Sequence, residues 1–275
     1  MKSNKPVVKG IMFGGCSFTW GQGLYYYSNL PTLKEPKPDC FDSNLITSAH
    51  LRFMETVRYP RIVANHFNTW EVVNPHNGGS NLSIINYSNQ LLTHHISRIH
   101  PDYYTDEISH FVFQLTQHHR DNFYITVDGK TRHIPFHETS HEPIRSEFLV
   151  WLNNNNLSLD DWMTQYIQEN VSRVEEFLRQ IESKGIKTVV MCWPNDPQEY
   201  VNCVFNNEFI KERLITFTYK NNHYNTIQDM MKKNKELEIK FDNENFIETP
   251  KDHHPSLLCH KVMAEHVINA IENHG

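Results

Sequence analysis

Short apolar runs closed by turn-forming residues alternate with amphipathic stretches along this chain. Residues 7–13 (VVKGIMF) run into Gly14-Gly15, residues 70–73 (WEVV) into Asn74-Pro75, and residues 186–193 (IKTVVMCW) into Pro194. Residues 110–115 (HFVFQL) form another such run, and Leu237, Ile239 and Phe241 alternate in a fifth candidate strand. Runs this short and apolar suit strands covered on both faces of a parallel sheet. Between them the spacing turns helical. Leu82, Ile85, Leu92, Ile96 and Ile99 share one face. Val171, Val174, Phe177, Leu178 and Ile181 share another, with Gly185 where a helix C-cap is expected. Met263, Val267, Ala270 and Ile271 predict a last helix. This alternation predicts an α/β fold with a parallel, helix-covered sheet. With no repeat and no linker between cores, residues 1–275 read as one domain.

Two stretches interrupt this skeleton. Residues 25–56 carry Pro31, Pro36 and Pro38 among polar and aromatic residues. Residues 117–160 contain a predicted hairpin, FYITVDGKTRHI, with Asp128-Gly129 as its turn, and a polar tract at 153–156. Insertions of this kind after strand ends tend to border binding sites.

Composition narrows the classes. Hydrophobic residues are 39% of the 275, enough for a sizeable core, while mean hydropathy is −0.59. No run approaches the ~18 apolar residues of a membrane span. The first residues pass from a short basic stub into a strand-like segment without an apolar leader, so a cytoplasmic location is expected. The net charge of −6, with both signs interspersed, lacks the basic face that nucleic-acid binding uses. Five scattered cysteines (Cys16, Cys40, Cys192, Cys203, Cys259) with no CxxC spacing read as reduced thiols. The adjacent pairs among the 18 histidines are poor joint metal ligands, because neighbours on a strand or helix point apart. Neither a metal nor an organic cofactor is expected.

Three segments carry candidate chemistry. The first strand ends in GGCSFTWG, where glycines permit a sharp turn and present N–H groups to a developing oxyanion near Ser17. A glycine-rich turn with Ser17 as a plain helix cap fits equally well. The second strand runs into Asn74-Pro75-His76-Asn77-Gly78-Gly79-Ser80-Asn81, opening a helix whose N-terminal amides suit an anion; Ser80 or Asn81 could equally serve only as a cap. Before the last helix stands Asp252-His253-His254-Pro255-Ser256, a loop able to supply both a base and the carboxylate that fixes its tautomer.

Taken together, the three segments resemble the conserved blocks of the SGNH/GDSL hydrolases. GGCSFTWG is similar to the first block, with Ser17 as nucleophile. Asn74 through Gly79 keeps the second block's spacing and implies Gly79 as the oxyanion-hole glycine, while DHHPS resembles the last block, with Asp252 and His254 as the triad partners. The resemblance spans about residues 7–271 and implies a flavodoxin-like three-layer α/β/α sandwich with five parallel strands. Two departures stand out. Asp252 precedes His254 by two residues, where the commonest block has three. The family's Gly-X-Asn-Asp after the third strand is replaced by Gln114-Leu115-Thr116-Gln117-His118-His119-Arg120, with His118 at the position of the oxyanion Asn. The oxyanion hole is therefore expected from Ser17, Gly79 and His118, with Gln117 or Asn81 as alternatives to the last.

The implied activity is a serine esterase or acylhydrolase acting through an acyl-enzyme on a small-molecule or glycan ester, such as an O-acetyl group. The alternative is a catalytically weakened binding or partner-docking protein of the same fold. Arg120 is read either as a carboxylate-binding group or as a surface ion-pair partner of Asp121, and Trp20 with Tyr25-Tyr26-Tyr27 either as a pocket lining or as packing.

Overall fold

The pleat of the first strand determines how the layers stack. A computed structural model of the protein describes residues 7–21, 23–28, 47–73, 79–92, 107–127, 129–239 and 254–273. In β1 (Gly10–Gly14), Ile11 and Phe13 face one apolar cluster and Met12 the opposite one. The same division holds in β3 (Ile108–Leu115), where Val112 opposes Phe111, Phe113 and Leu115. It recurs in β6 (Lys187–Cys192), where Val189 and Met191 oppose Val190. Successive side chains of a strand point to opposite faces, so an apolar run needs a helix layer on each side.

One layer is α3 (Tyr59–His66), α9 (Ile227–Lys233) and α10 (Leu257–Asn273). The other is α4 (Asn81–Gln90), α6 (Leu159–Ser183) and α7 (Gln198–Asn206). The short α8 (Glu208–Lys211) follows α7 and leads into β7 (Leu214–Ile215). The central sheet has the order β2-β1-β3-β6-β7, all parallel, with β2 spanning Trp70–Val73. Counted within the sheet this is the 2-1-3-4-5 order of doubly wound α/β folds, whose ligand crevice opens beyond the carboxyl ends of the two strands where the winding reverses. Those strands are β1 and β3.

The predicted strands at 70–73, 110–115 and 186–193 are present with ends shifted by a residue or two. The first begins later than its apolar run: Val7 is exposed, and pairing starts at Gly10 against Trp70 and Ile108. A side chain at Gly10 would run into the Trp70 ring. The fifth strand needs correction. Leu237 closes a 3-10 turn (Lys235–Leu237), and Glu238 then makes an isolated antiparallel bridge to Pro255, whereas the fifth sheet strand is Leu214–Ile215. Two residues are too few to leave a periodic signal. Phe241, Ile96 and Ile99 lie outside the described residues. On α4, Ile84 and Ile85 are buried while Leu82 is only partly so.

The helix preceding β6 is longer than its buried stripe suggests, starting at Ser158, whose side chain accepts from the Asp161 amide. Gly185 follows it at φ +79°, the left-handed value glycine tolerates best. Within the second insertion the predicted hairpin is present. Strands β4 (Asn122–Val127) and β5 (Lys130–Pro135) form an antiparallel hairpin, with Gly129 at φ +73°. With α5 (Ile144–Asn154) the hairpin closes a satellite core of Ile125, Ile134, Phe148 and Leu152 against Trp162 and Tyr166 of α6. A second hairpin that the pattern did not signal, β8 (Phe217–Tyr219) and β9 (Asn222–Tyr224), turns through Lys220 and Asn221 at positive φ. After α1 (Ser17–Trp20) comes a 3-10 turn at Leu24–Ser28; within the first insertion α2 (Ser48–Val57) precedes α3, and residues 29–46 lie outside the described set.

His260 of α10 is buried beneath α3, where its Nδ1 accepts the Tyr59 amide at 3.1 Å and its ring stacks on that of Tyr59. Burial, helped by the nearby His254 and Arg58, pulls its pKa down to about 3. His110 and His118 are buried as well, and burial lowers each to about 4. A histidine held neutral in the fold contributes stability that is complete above its unfolded pKa of about 6.5 and is lost as pH falls toward the folded value. His260 alone should make the protein about 2 kcal/mol less stable at pH 5 than at pH 7. Urea denaturation at the two pH values measures this, and in His260→Gln the difference should shrink.

Candidate active site

At the C-terminal edge of β1 the chain turns through Gly15 and Cys16 into the single turn of α1. The amides of Thr19 and Trp20 bond to the Cys16 carbonyl at 3.0 and 3.1 Å, and Gly21, at φ +89°, ends the turn by donating to the Ser17 carbonyl. Cys16 occupies the N-cap without a side-chain bond, so Ser17 is not the cap. Its hydroxyl lies 3.1 Å from His254 Nε2. Ser17 is buried and His254 partly buried.

His254 is held from two directions. Its carbonyl accepts the Ile239 amide at 2.9 Å, and the Ser256 amide donates to the Leu237 carbonyl at 2.8 Å. Ser256 Oγ then caps α10 through the Cys259 amide and donates to the Glu236 carbonyl. The segment that sequence pattern offers as a fifth strand is thus the clamp for the histidine loop. From the other side the His254 ring rests on Phe18, with centroids 4.7 Å apart, and Phe18 stacks on Trp193 at 3.5 Å. Asp252 and residues 74–78 lie outside the described residues.

Two backbone turns meet beside Ser17. A methyl at Gly79 would come within 3.6 Å of the Gly15 carbonyl, so the segment entering α4 runs against the turn that carries the serine. Ser80 caps α4 by accepting the Ser83 amide at 3.1 Å, as one of the sequence readings had it. Asp121 binds the Leu82 amide at 2.9 Å and accepts from Asn170 Nδ2. Burial raises the Asp121 carboxyl above its ordinary range, opposed by hydrogen bonds from Ser80, Leu82 and Asn170.

Asn81 is a structural hub. Its Nδ2 faces the Thr116 carbonyl, Asn170 Oδ1 and the Tyr200 hydroxyl at 3.2, 2.9 and 2.8 Å, while its Oδ1 accepts the Thr116 amide at 2.8 Å. Both amide protons are engaged within the fold. His118 opens the 3-10 turn His118–Arg120 and lies among aromatic rings, 5.2 Å from Tyr200 and 5.4 Å from Phe136 by centroids. Its lowered pKa keeps the ring neutral at pH 7, and its buried Nδ1 has no hydrogen-bond partner. Gln117 caps that turn through its backbone and is partly buried.

Sequence pattern did not assign a role to Gln114. This buried amide interrupts the apolar run of β3, accepts from Thr19 Oγ1 and reaches the Cys16 sulfur at 3.6 Å. The Tyr59 hydroxyl lies 3.1 Å from the same Thr19 oxygen. A polar residue inside an otherwise apolar, two-face-covered strand was the available signal. Burial pushes the Cys16 thiol up, against a pull from Arg120, so the cysteine beside Ser17 is no thiolate at neutral pH. Among the described residues no three His, Cys, Asp or Glu side chains converge as metal ligands, and no helix is long and apolar enough to cross a membrane.

No protein-family model matches the sequence, and no curated protein does. Among solved structures the chain is similar to the psychrotrophic esterase EstA from Pseudoalteromonas sp., inhibited by monoethylphosphonate, at 8% identity and TM-score 0.47, covering 96% of this chain and 97% of that one. It is similar to a carbohydrate esterase described as having divergent catalytic and non-catalytic binding functions, at 14% identity and TM-score 0.43, covering 96% and 68%. A lipolytic protein of the G-D-S-L family from Desulfitobacterium hafniense DCB-2 is similar at 10% identity and TM-score 0.42, covering 95% and 99%.

A side chain at Gly15 would collide with Thr19 and come within 3.0 Å of Gln114 Oε1. Gly15→Ala should therefore destabilise the protein by about 1–3 kcal/mol, read as a lowered melting temperature.

Proposed function

We propose that the protein is a serine esterase, with Ser17 as nucleophile and His254 as base. The observation that carries this reading is the 3.1 Å contact of Ser17 Oγ with His254 Nε2 at the mouth of the β1/β3 crevice. Nucleophile and base within hydrogen-bond reach, at the place where such sheets bind ligands, are the geometric requirements for acyl transfer.

In the proposed cycle His254 Nε2 takes the hydroxyl proton as Ser17 Oγ attacks the ester carbonyl. The amides of Ser17 and Gly79 receive the developing oxyanion. His254 returns the proton to the departing alkoxide, leaving an acyl-enzyme. The same histidine then activates water, which releases the acid. Asp252, two residues before the base, is assigned to orient the imidazole and stabilise its protonated form. His118, neutral and with an unpartnered nitrogen, is the third oxyanion donor we favour over Asn81, whose amide protons are already engaged.

Ser17→Ala should reduce kcat for 4-nitrophenyl acetate by at least about 10⁴-fold, and His254→Ala comparably. Asp252→Asn should cost about 10⁴-fold. A fluorophosphonate should label the wild type at Ser17 and leave Ser17→Ala unlabelled. Turnover that survives in Ser17→Ala, or a wild type that neither turns over nor labels, would sink the assignment. The latter result would favour a binding protein.

A further inference from the structure

Arginines in this fold are mostly paired. Arg213 engages Glu182 and the Phe209 carbonyl, Arg61 engages Glu71, and Arg132 holds Glu147. Arg120 differs. It closes the 3-10 turn His118–Arg120, which follows the C-terminal end of β3 by two residues, and its Nη1 is buried without a hydrogen-bond partner. Its neighbour Asp121 turns away to the amide of Leu82 and to Asn170, and no ion pair of Arg120 occurs among the described residues. The Arg120 charge is the strongest of the influences that draw the Cys16 thiol down against burial, so the guanidinium acts on the residue adjoining Ser17.

A charged donor buried without a partner is costly, and a chain of net charge −6 supplies many carboxylates that could have met it. A guanidinium has donors only, in a planar fork that matches a carboxylate two bonds at a time. We propose that Arg120 binds an anionic group of the substrate, so that the esters cleaved at Ser17 carry a carboxylate on their acyl or alcohol part. This rests on the esterase reading. The alternative is that Arg120 contacts the oxyanion itself, which would raise turnover of neutral and anionic esters alike.

The test compares matched pairs. On the acyl side, mono-4-nitrophenyl glutarate is set against 4-nitrophenyl butyrate; on the alcohol side, 4-acetoxybenzoate against phenyl acetate. The wild type should prefer the carboxylate member of at least one pair in kcat/KM. In Arg120→Gln the anionic-to-neutral ratio should fall by about 10- to 100-fold, mostly through KM, and Arg120→Lys should recover part of it. A wild type without such a preference, or a ratio that stays fixed while both members fall together, overturns the proposal. The wild-type comparison decides even where a variant fails to fold. Binding of glutarate to Ser17→Ala, followed by calorimetry with and without Arg120→Gln, separates the two claims. Arg120-dependent binding of glutarate to Ser17→Ala, together with a wild type that cleaves no ester, keeps the anion site and removes the esterase. Cleavage of neutral esters with neither preference nor binding does the reverse.

Discussion

The close approach of backbone at Gly15 governs the geometry around Ser17. The space a side chain would occupy there is filled by Thr19 and Gln114, and the neighbouring Gly79 segment runs against the Gly15 carbonyl. Because no methyl intrudes, one turn of helix can start directly from the end of β1. Its first residue then faces across the crevice toward His254. Gln114 and Tyr59 both bond to Thr19, so the turn is fixed from β3 on one side and α3 on the other. The polar atoms that fix it are buried and satisfied, the condition under which an internal hydrogen-bond network stiffens its surroundings.

A second buried network, around Asn81, does the same for the other half of the crevice. Asn81, Thr116, Asn170, Tyr200 and Asp121 tie the start of α4 to the end of β3 and to α6 and α7. The backbone beside Gly79 is thereby placed by groups from four separate elements. The satellite core around Phe136 and Trp162 rests on the same corner, through the rings around His118. The second insertion thus packs on this corner through Phe136.

Much of this was legible in the sequence, for identifiable reasons. The buried strands betrayed themselves as apolar runs, and glycine marked the turn before Ser17 and the end of α6. The Ser17 and His254 pairing was legible only by resemblance, since 237 positions separate the two and no local pattern links them. The alternation of Leu237, Ile239 and Phe241 suits a sheet strand, but three alternating apolar positions do not distinguish a strand from the short clamp that Leu237 to Ile239 form. The true fifth strand, Leu214–Ile215, is too brief to signal at all. Gln114, a polar residue inside an apolar run, marks a buried hydrogen-bond partner by its type alone. Asn81 shows the opposite limit: its residue type suits an oxyanion donor, and only the surrounding partners reveal that its amide is already engaged.

The stack of His254 on Phe18, and of Phe18 on Trp193, joins three distant parts of the chain. Phe18 belongs to the first strand's turn, Trp193 follows the fourth strand, and His254 arrives just before α10. In order of synthesis, the three rings therefore cannot meet before residue 254 has been made. The stack therefore ties residues near both ends of the chain to the middle of the sheet, and it is complete only when all three parts are in place.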